Sequence, residues 1–160
     1  MLCPMTSQFF RANVGIVVAR ADAWVLVLER TDKPGQWQFP QGGLDVGEEP
    51  REASLRELEE ETGIRPDLVE LIAEHPEWLA YELPPERRRH KTGRGQVQKW
   101  FLCRFLGMDT DIDLAPPAGE RQEFSAFRWV KLADFAAEVW EVKRPIYRAL
   151  LREWAGALGD

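Results

Sequence analysis

Three glutamates near the middle of the chain have the residue type and the spacing to bind a cation. Glu57, Glu60 and Glu61 lie in the segment "RELEEETGI". An α-helix turns about 100° per residue, so these side chains share a sector of roughly 100° on one face. Carboxylates at this spacing repel one another, and a helix C-terminus also disfavours anions. A hard divalent cation such as Mg²⁺, which takes oxygen ligands, would offset that repulsion.

A solvated acidic helix face is the alternative interpretation of these glutamates. Arg51, Arg56 and Arg65 are close enough in sequence to neutralise part of the charge. For an isolated run of glutamates this alternative would be the better one. Leu55 and Leu58 fall on a neighbouring face of the same helix, which predicts that one side of it packs against a core while the carboxylates lie beside that core.

A longer pattern surrounds the three glutamates and favours the cation. Its fixed positions are Gly42, Glu48, Arg56, Glu57, Leu58, Glu60, Glu61, Gly63 and Ile64. This spacing resembles the Nudix box, G(x5)E(x7)REUxEExGU with U a bulky apolar residue, at every specified position. So long a pattern is far more specific than a single glycine motif. The resemblance implies an α/β/α sandwich with a mixed sheet and hydrolysis of a nucleoside diphosphate linked to another group. It also implies a divalent metal, Mg²⁺ with Mn²⁺ or Zn²⁺ as substitutes.

The chemistry of a diphosphate is consistent with the residue types of the box. Metal ions neutralise the anionic oxygens and lower the pKa of a bound water. Glycine at Gly42 and Gly43 lets the backbone approach the metal or the phosphates closely. Arg56 is expected to orient a helix glutamate by a charge-assisted hydrogen bond. Glu48 is expected either to hold other groups in place or to bind the metal through water.

Resemblance to the Nudix hydrolases continues outside the box, from Phe10 onward. The blocks "FRANVGIVV", "WQFPQGGLDVGE", "WLAYELP", "GQVQKWFL", "EFSAFRWV" and "VKRPIYRALLREW" resemble the branch with bacterial RNA pyrophosphohydrolases and dinucleoside polyphosphate hydrolases. By that likeness Glu123 joins the three helix glutamates as a catalytic and metal-binding carboxylate, and Gly42 lies at the metal. The same likeness gives the expected substrate-binding residues as Arg11, Arg30, Tyr81, Gln96 and Lys143.

Three positions depart from that branch. Relatives often have proline at the position of Ala12, a second basic residue where Thr31 follows Arg30, and an aromatic residue at the position of Val142. An aromatic ring there could stack on a base, so its loss is expected to weaken base binding. The basic segment from 87 to 94 either attracts phosphates or is a solvated loop.

Three functions are open at this point. The first is removal of pyrophosphate from the 5′-triphosphate end of RNA, the step that starts mRNA decay. The second is hydrolysis of dinucleoside polyphosphates or other small molecules linked to a nucleoside diphosphate. The third is a nucleotide sensor that does not cleave, which the complete set of glutamates argues against.

The secondary structure expected around these residues is an alternation of strands and helices, typical of an α/β domain. Strands are predicted at 12–20, 24–30, 37–40, 68–84 with a break near Pro76, 96–107 and 123–132. Gly42 and Gly43 are predicted to open a loop. A helix is predicted from Pro50 to a stop at Gly63, and the last part of the chain is predicted to be helical with an interruption at Pro145.

Composition limits the class of protein. The 160 residues are 44% apolar and 30% charged, with a net charge of −6. We expect one domain over residues 1–160, with 1–8 a loose N-terminal extension. The net negative charge argues against general coating of nucleic acid by this protein, so any contact with nucleic acid should be local. Cys3 and Cys103 form no disulfide framework, and no signal peptide or membrane segment is predicted, so a cytoplasmic enzyme or binding module is expected.

Overall fold

The computed structural model describes residues 9–158, which form a mixed sheet between helices. The predicted extension at 1–8 lies outside the described residues. The helices are α1 Pro50–Thr62, α2 Leu132–Glu138 and α3 Arg144–Trp154. The strands are β1 Phe10–Ala19, β2 Val25–Arg30, β3 Trp37–Gln38, β4 Gln41–Gly43, β5 Val69–Glu74, β6 Leu79–Glu82, β7 Gly95–Phe105 and β8 Phe124–Val130.

The centre of the sheet is a long parallel pair, β1 with β7. Strand β1 is buried continuously from Asn13 to Ala19, as expected for a strand covered on both faces. At the start of this buried stretch β1 also pairs antiparallel with β4, which places Gly42 opposite Val14. The β1–β2 and β2–β8 pairs are antiparallel and complete the mixed sheet on that side.

Two apolar cores lie on the two faces of the sheet, because successive strand residues point to opposite sides. Val17 belongs to the core beneath α2 and α3, with Trp100 and Tyr147. Ile16 belongs to the core beneath α1, with Leu58 and Phe101. The α/β/α sandwich expected from the sequence is therefore confirmed.

Helix α1 begins and ends where its sequence predicts. Pro50 starts it, and Gly63 follows its last residue in the left-handed conformation with φ of 72°. The N–H of Gly63 donates to the carbonyl of Glu59 at 2.8 Å, which satisfies one of the last free carbonyls. Leu58 is fully buried. The packing of this side chain sets the rotation of the helix, and with it the direction of the glutamates.

Two secondary-structure predictions were wrong. Gly42 and Gly43 do not open a loop but form β4, because β1 supplies ladder partners that a local reading of two glycines cannot reveal. Pro145 does not interrupt the C-terminal helical segment, since it occupies the first turn of α3, where a missing N–H has no cost. The break comes earlier, at a 3₁₀ turn over Glu141–Lys143, and it divides the segment into two helices.

Candidate active site

The three glutamates of α1 share a face, as their spacing predicts, but they differ in burial. Glu61 is only 7% exposed. The side chain of Glu57 is 14% exposed, whereas that of Glu60 is 53% exposed. The cluster is therefore no uniform solvated face, because two of its three carboxylates lie largely out of water.

A small cavity of about 80 Å³ brings these glutamates together with Glu123. Glu123 directly precedes β8, and its carbonyl accepts a hydrogen bond from the N–H of Thr31 at 3.0 Å. The cavity is called the carboxylate cavity below. Two residues that sequence reasoning missed also line it, Glu120 and Arg121 from the loop before β8.

Burial controls the protonation of these carboxylates. Desolvation raises the pKa of Glu57 to about 7, although hydrogen bonding to Arg56 opposes the shift. Desolvation also raises the pKa of Glu61, and repulsion from Glu123 and Glu57 adds to it. Glu123 retains exposure in the loop, yet partial desolvation of its carboxylate raises its pKa as well. The protein alone therefore places too little positive charge near these carboxylates to offset the desolvation of their ionised forms.

Arg56 connects the box glutamates to the rest of the site. Its Nε donates to Glu48 Oε2 at 2.8 Å and its Nη2 to Glu48 Oε1 at 2.9 Å. Its Nη1 donates to Glu57 Oε1 at 2.9 Å, and Nη2 reaches the carbonyl of Gly43 at 3.0 Å. One guanidinium thus joins the loop before α1, the helix and strand β4, as expected for a residue that orients a glutamate.

Strand β4 approaches α1 so closely that a side chain at position 42 would displace the carboxylate of Glu57. A methyl group on Gly42 would overlap the carboxylate of Glu57. The residue before it also contacts the glutamates of α1, because the N–H of Gln41 donates to Glu61 Oε2 at 3.2 Å. Glycine at this position leaves room for the Glu57 carboxylate, whereas the sequence led us to expect that it leaves room for the metal or the phosphates.

The donor set suits a hard divalent cation. Carboxylate oxygens are the ligands that Mg²⁺ prefers, and a cation would supply the charge that these desolvated groups lack. Within residues 9–158, no three His, Cys, Asp or Glu side chains are gathered closely enough to hold a metal ion as they stand. Arg56 occupies oxygens of both Glu57 and Glu60, so a metal would have to share or replace that contact.

A larger cavity of about 620 Å³ contains four of the five predicted substrate-binding residues, Arg30, Tyr81, Gln96 and Lys143. Further cations line it, among them Lys33, Arg87 and Arg89, against one acidic residue, Glu86. It is called the cationic cavity below. Arg11, the fifth predicted residue, is on strand β1 and does not line this cavity. Its guanidinium lies over Gly43 instead.

Lys143 is buried against two glutamines. It is 6% exposed, and its Nζ donates to Gln38 Oε1 and Gln41 Oε1, each at 3.2 Å. Desolvation lowers its pKa to about 7, Arg30 lowers it further and Glu61 opposes the shift. The two glutamines come from the "WQFPQ" block, in which the neighbouring Phe39 points into the core. Strand alternation could not have found this position, because it would point residues three apart to opposite faces.

Tyr81, an expected substrate-binding residue, has little surface available for stacking on a base. It is only 7% exposed, and its hydroxyl donates to Gln96 Oε1 at 3.0 Å.

The basic segment from 87 to 94 is divided between two roles. Arg87 and Arg89 line the cationic cavity, whereas Arg88 and Arg94 pair with Glu82.

A third cavity, of about 280 Å³, shares lining residues with the other two. Arg30 lines it and also lines the cationic cavity, while Arg121 and Glu123 line both it and the carboxylate cavity. Arg30 pairs with Asp32 at 2.8 Å, and this contact raises the pKa of its guanidinium. The cationic residues and the carboxylates are therefore neighbours through Arg30, Arg121 and Glu123.

Comparison with known proteins agrees with this geometry. The NUDIX domain family model matches residues 9–150. The chain belongs to the Nudix family. It is 45% identical to an RNA pyrophosphohydrolase of Rhodospirillum rubrum over 150 residues, 92% of this chain and 88% of that protein. It is 42% identical to an RNA pyrophosphohydrolase of Cereibacter sphaeroides, with 89% and 88% covered.

Solved structures show the same Nudix fold. A binary complex of the C. elegans Ap4A hydrolase superposes with a TM-score of 0.68 at 24% identity, covering 91% of this chain and 98% of that one. Nudix hydrolases generally use a divalent metal, which fits the donor set described above. No helix among the described residues has the length and apolarity needed to cross a membrane.

We expect Glu57→Gln to stabilise the metal-free protein at high pH. The pKa of Glu57 is about 7 when folded, against an ordinary value of 4.5. Because the folded pKa is raised, stability is lost as pH rises from about 4.5 through about 7. The substitution removes that loss, so the free energy of unfolding should rise by roughly 1–3 kcal/mol at pH 8 and much less at pH 5. Urea unfolding in EDTA measures both values.

Glu48→Gln is the matched control for that experiment. Hydrogen bonding to Arg56 lowers the pKa of Glu48, so its contribution to stability is present above about pH 4.5. Removing that carboxylate should destabilise the protein at pH 8. If the two variants shift stability in the same direction at pH 8, the described difference between the two carboxylates is wrong.

Proposed function

We propose that this Nudix protein is a Mg²⁺-dependent hydrolase that removes pyrophosphate from the 5′-triphosphate end of RNA in the cytoplasm. The observation that carries the proposal is a cavity that shares Arg30 with the cationic cavity and Glu123 with the carboxylate cavity. A substrate with a chain of phosphates at one end and a nucleotide at the other matches this order of charges. Relatives with 42% and 45% identity named RNA pyrophosphohydrolase support the choice of RNA.

In the proposed reaction, water attacks a phosphorus atom and the anhydride bond between the α and β phosphates breaks. The products are pyrophosphate and an RNA with a 5′-monophosphate. A bound divalent metal would neutralise the developing charge and lower the pKa of the attacking water. Glu57, Glu60, Glu61 and Glu123 would hold it, with the backbone of Gly42 close by.

The chain's own residues have distinct tasks in this proposal. One of the carboxylates with a raised pKa, Glu57, Glu61 or Glu123, accepts the proton of the attacking water. Arg56 fixes the direction of Glu57 while itself held by Glu48. Gly63 ends α1 and so keeps Glu60 and Glu61 in the last turn.

The cationic side of the site binds the rest of the substrate. Arg30 and Lys143 attract phosphates, and Gln96 offers an amide beside them. Arg11 lies over Gly43, next to the backbone at the carboxylates, and would contact the terminal phosphates there. Tyr81 shapes the wall of the cavity and holds Gln96 through its hydroxyl.

Hydrolysis should depend on Glu57 and Glu61 far more than on Glu59 of the same helix. Glu61→Gln and Glu57→Gln should each lower turnover by at least ~10²-fold, because a metal ligand or the base is lost. Glu59→Gln is the control, since Glu59 is exposed and lies outside the carboxylate cavity. Steady-state release of pyrophosphate measures the effect. Near-normal turnover in Glu61→Gln would refute the assignment.

Gly42→Ala should lower turnover while leaving the protein folded. A methyl group at this position overlaps the Glu57 carboxylate, which must move, and a displacement of about 1 Å at reacting groups can cost about 10²-fold in rate. Gly156→Ala is the control, because a methyl group there meets no atom within 4 Å. Circular dichroism checks the fold of both variants. Equal turnover in the two variants would contradict the close approach of β4.

The choice between RNA and dinucleoside polyphosphates is decided by kinetics. With the same Mg²⁺ and salt, kcat/KM for a short triphosphorylated RNA should exceed that for diadenosine tetraphosphate. Pyrophosphate and a 5′-monophosphorylated RNA should be the products. A higher kcat/KM for diadenosine tetraphosphate would establish the second function in place of the first.

A further inference from the structure

A buried glutamine lies behind the wall of the cationic cavity. Gln98 on β7 is 1% exposed and does not line this cavity. Its Nε2 donates to Asn13 Oδ1 at 2.9 Å. The same nitrogen lies 3.3 Å from Gln96 Oε1 and 3.4 Å from Gln41 Oε1, and its second proton can be shared between these two oxygens. Gln96 and Gln41 both line the cationic cavity, so Gln98 contacts its wall from behind.

An indole fixes the direction of the Gln98 amide. Trp100 is fully buried, and its Nε1 donates to Gln98 Oε1 at 3.2 Å. An indole N–H can only donate, so the atom of Gln98 that faces it is the oxygen. The opposite orientation would place two donors together and leave a buried N–H without an acceptor, which is costly. The NH₂ group of Gln98 therefore faces the three other amides, and each of them presents its oxygen to it.

Gln96 shows the consequence at the surface of the cavity. Its Oε1 accepts from the hydroxyl of Tyr81 at 3.0 Å as well as from Gln98. Within residues 9–158 its Nε2 donates to no other group, and this atom is not enclosed by the protein. The oxygen of Gln96 is therefore turned inward, and its NH₂ group is open to the cavity that Gln96 lines.

Lys143 imposes the same polarity from the other side of these amides. Its ammonium can only donate, and it contacts the oxygens of Gln38 and Gln41 at 3.2 Å each. Gln41 Oε1 thus accepts from both Lys143 and Gln98. The oxygens of Gln41 and Gln96 are both engaged within the protein. Ionised phosphate oxygens only accept hydrogen bonds, so a wall that turns its amide oxygens inward suits them.

We propose that Gln98 is a positioning residue for the phosphates of the substrate. It holds the Gln96 amide so that the NH₂ group, and not the carbonyl, faces phosphates bound beside Lys143. A carbonyl oxygen at that place would repel them, because two acceptors would meet. Gln98 itself touches no substrate and acts through Gln96. This inference rests on the proposed function, because it assumes phosphates in the cationic cavity.

Gln98→Met tests this role, because methionine has a similar length and offers no N–H. The Gln96 amide is then free to turn its oxygen toward the cavity. The KM for triphosphorylated RNA should rise about tenfold, with kcat changed by less than about twofold, since the glutamates that hold the metal are untouched. The affinity for tripolyphosphate, measured by calorimetry in EDTA, should fall by about tenfold as well.

Lys99→Met is the matched control. Lys99 is the next residue on β7, it is 8% exposed, and its Nζ donates to the carbonyl of His75 at 2.6 Å. The substitution removes a buried polar contact on the same strand but none to the amides beside the cationic cavity. Urea unfolding should show a loss of stability in both variants, whereas only Gln98→Met should lose affinity for tripolyphosphate. An equal loss of affinity in Lys99→Met would show that destabilisation alone is the cause.

A double-variant cycle with Gln96 separates positioning from a general loss of structure. Gln96→Met should weaken tripolyphosphate binding about as much as Gln98→Met does. The double variant should be no weaker than Gln96→Met alone, because both changes act on one NH₂ group. Losses that add, unchanged affinity in Gln98→Met, or no binding of tripolyphosphate to the wild-type protein would overturn the positioning role.

Trp100→Phe gives a second route if Gln98→Met does not fold. It removes the indole N–H that fixes the direction of Gln98 and keeps an aromatic ring in the core. Its affinity for tripolyphosphate should also fall, and wild-type affinity would overturn the proposal.

The two proposals fail in different ways. If triphosphorylated RNA releases no pyrophosphate but Gln98→Met and Gln96→Met weaken tripolyphosphate binding without adding, the RNA function is wrong and the positioning role stands. If pyrophosphate is released and Gln98→Met keeps the KM and the affinity of the wild type, the function stands and the positioning role is wrong.

Discussion

The structure depends on holding two carboxylates of one helix largely out of water beside a strand that has glycine at position 42. Raising the pKa of Glu57 from 4.5 to about 7 corresponds to about 3 kcal/mol of unfavourable free energy for the ionised form. The fold sustains this cost because Leu58 is fully buried on the neighbouring face of α1 and the sheet is covered on both sides. Gly42 then brings the backbone of β4 against the same carboxylate.

Opposite charges in this site are shifted toward neutrality. Burial raises the pKa of Glu61 and lowers that of Lys143 to about 7, although each group lies near enough to stabilise the charge of the other. The carboxylates and the cations of the site therefore do not fully stabilise each other's charges. A metal at the carboxylates and phosphates at the cations would supply what each half lacks. A metal–phosphate substrate satisfies both halves at once, and the geometry favours such a ligand over either component alone.

Much of this arrangement was predictable from the sequence because it depends on local spacing. The limits of α1 and the shared face of Glu57, Glu60 and Glu61 follow from periodicity and motif. The strand character of Gly42 was not predictable, because its ladder partner lies in a distant segment. The contact between Gly42 and the Glu57 carboxylate was not predictable either, because it depends on how β4 packs against α1. The difference in burial between Glu60 and Glu61 follows from the packing of α1 on the sheet.

Proton release on metal binding tests the central claim most directly. Mg²⁺ is titrated into the protein by calorimetry at pH 6 and pH 8, in buffers with different ionisation enthalpies. The account predicts release of a proton at pH 6, because the metal displaces it from Glu57, and much less release at pH 8, above the pKa of about 7. Glu57→Gln should remove this difference. Binding with the same proton release at both pH values, unchanged in the variant, would contradict the claim that these carboxylates hold the metal.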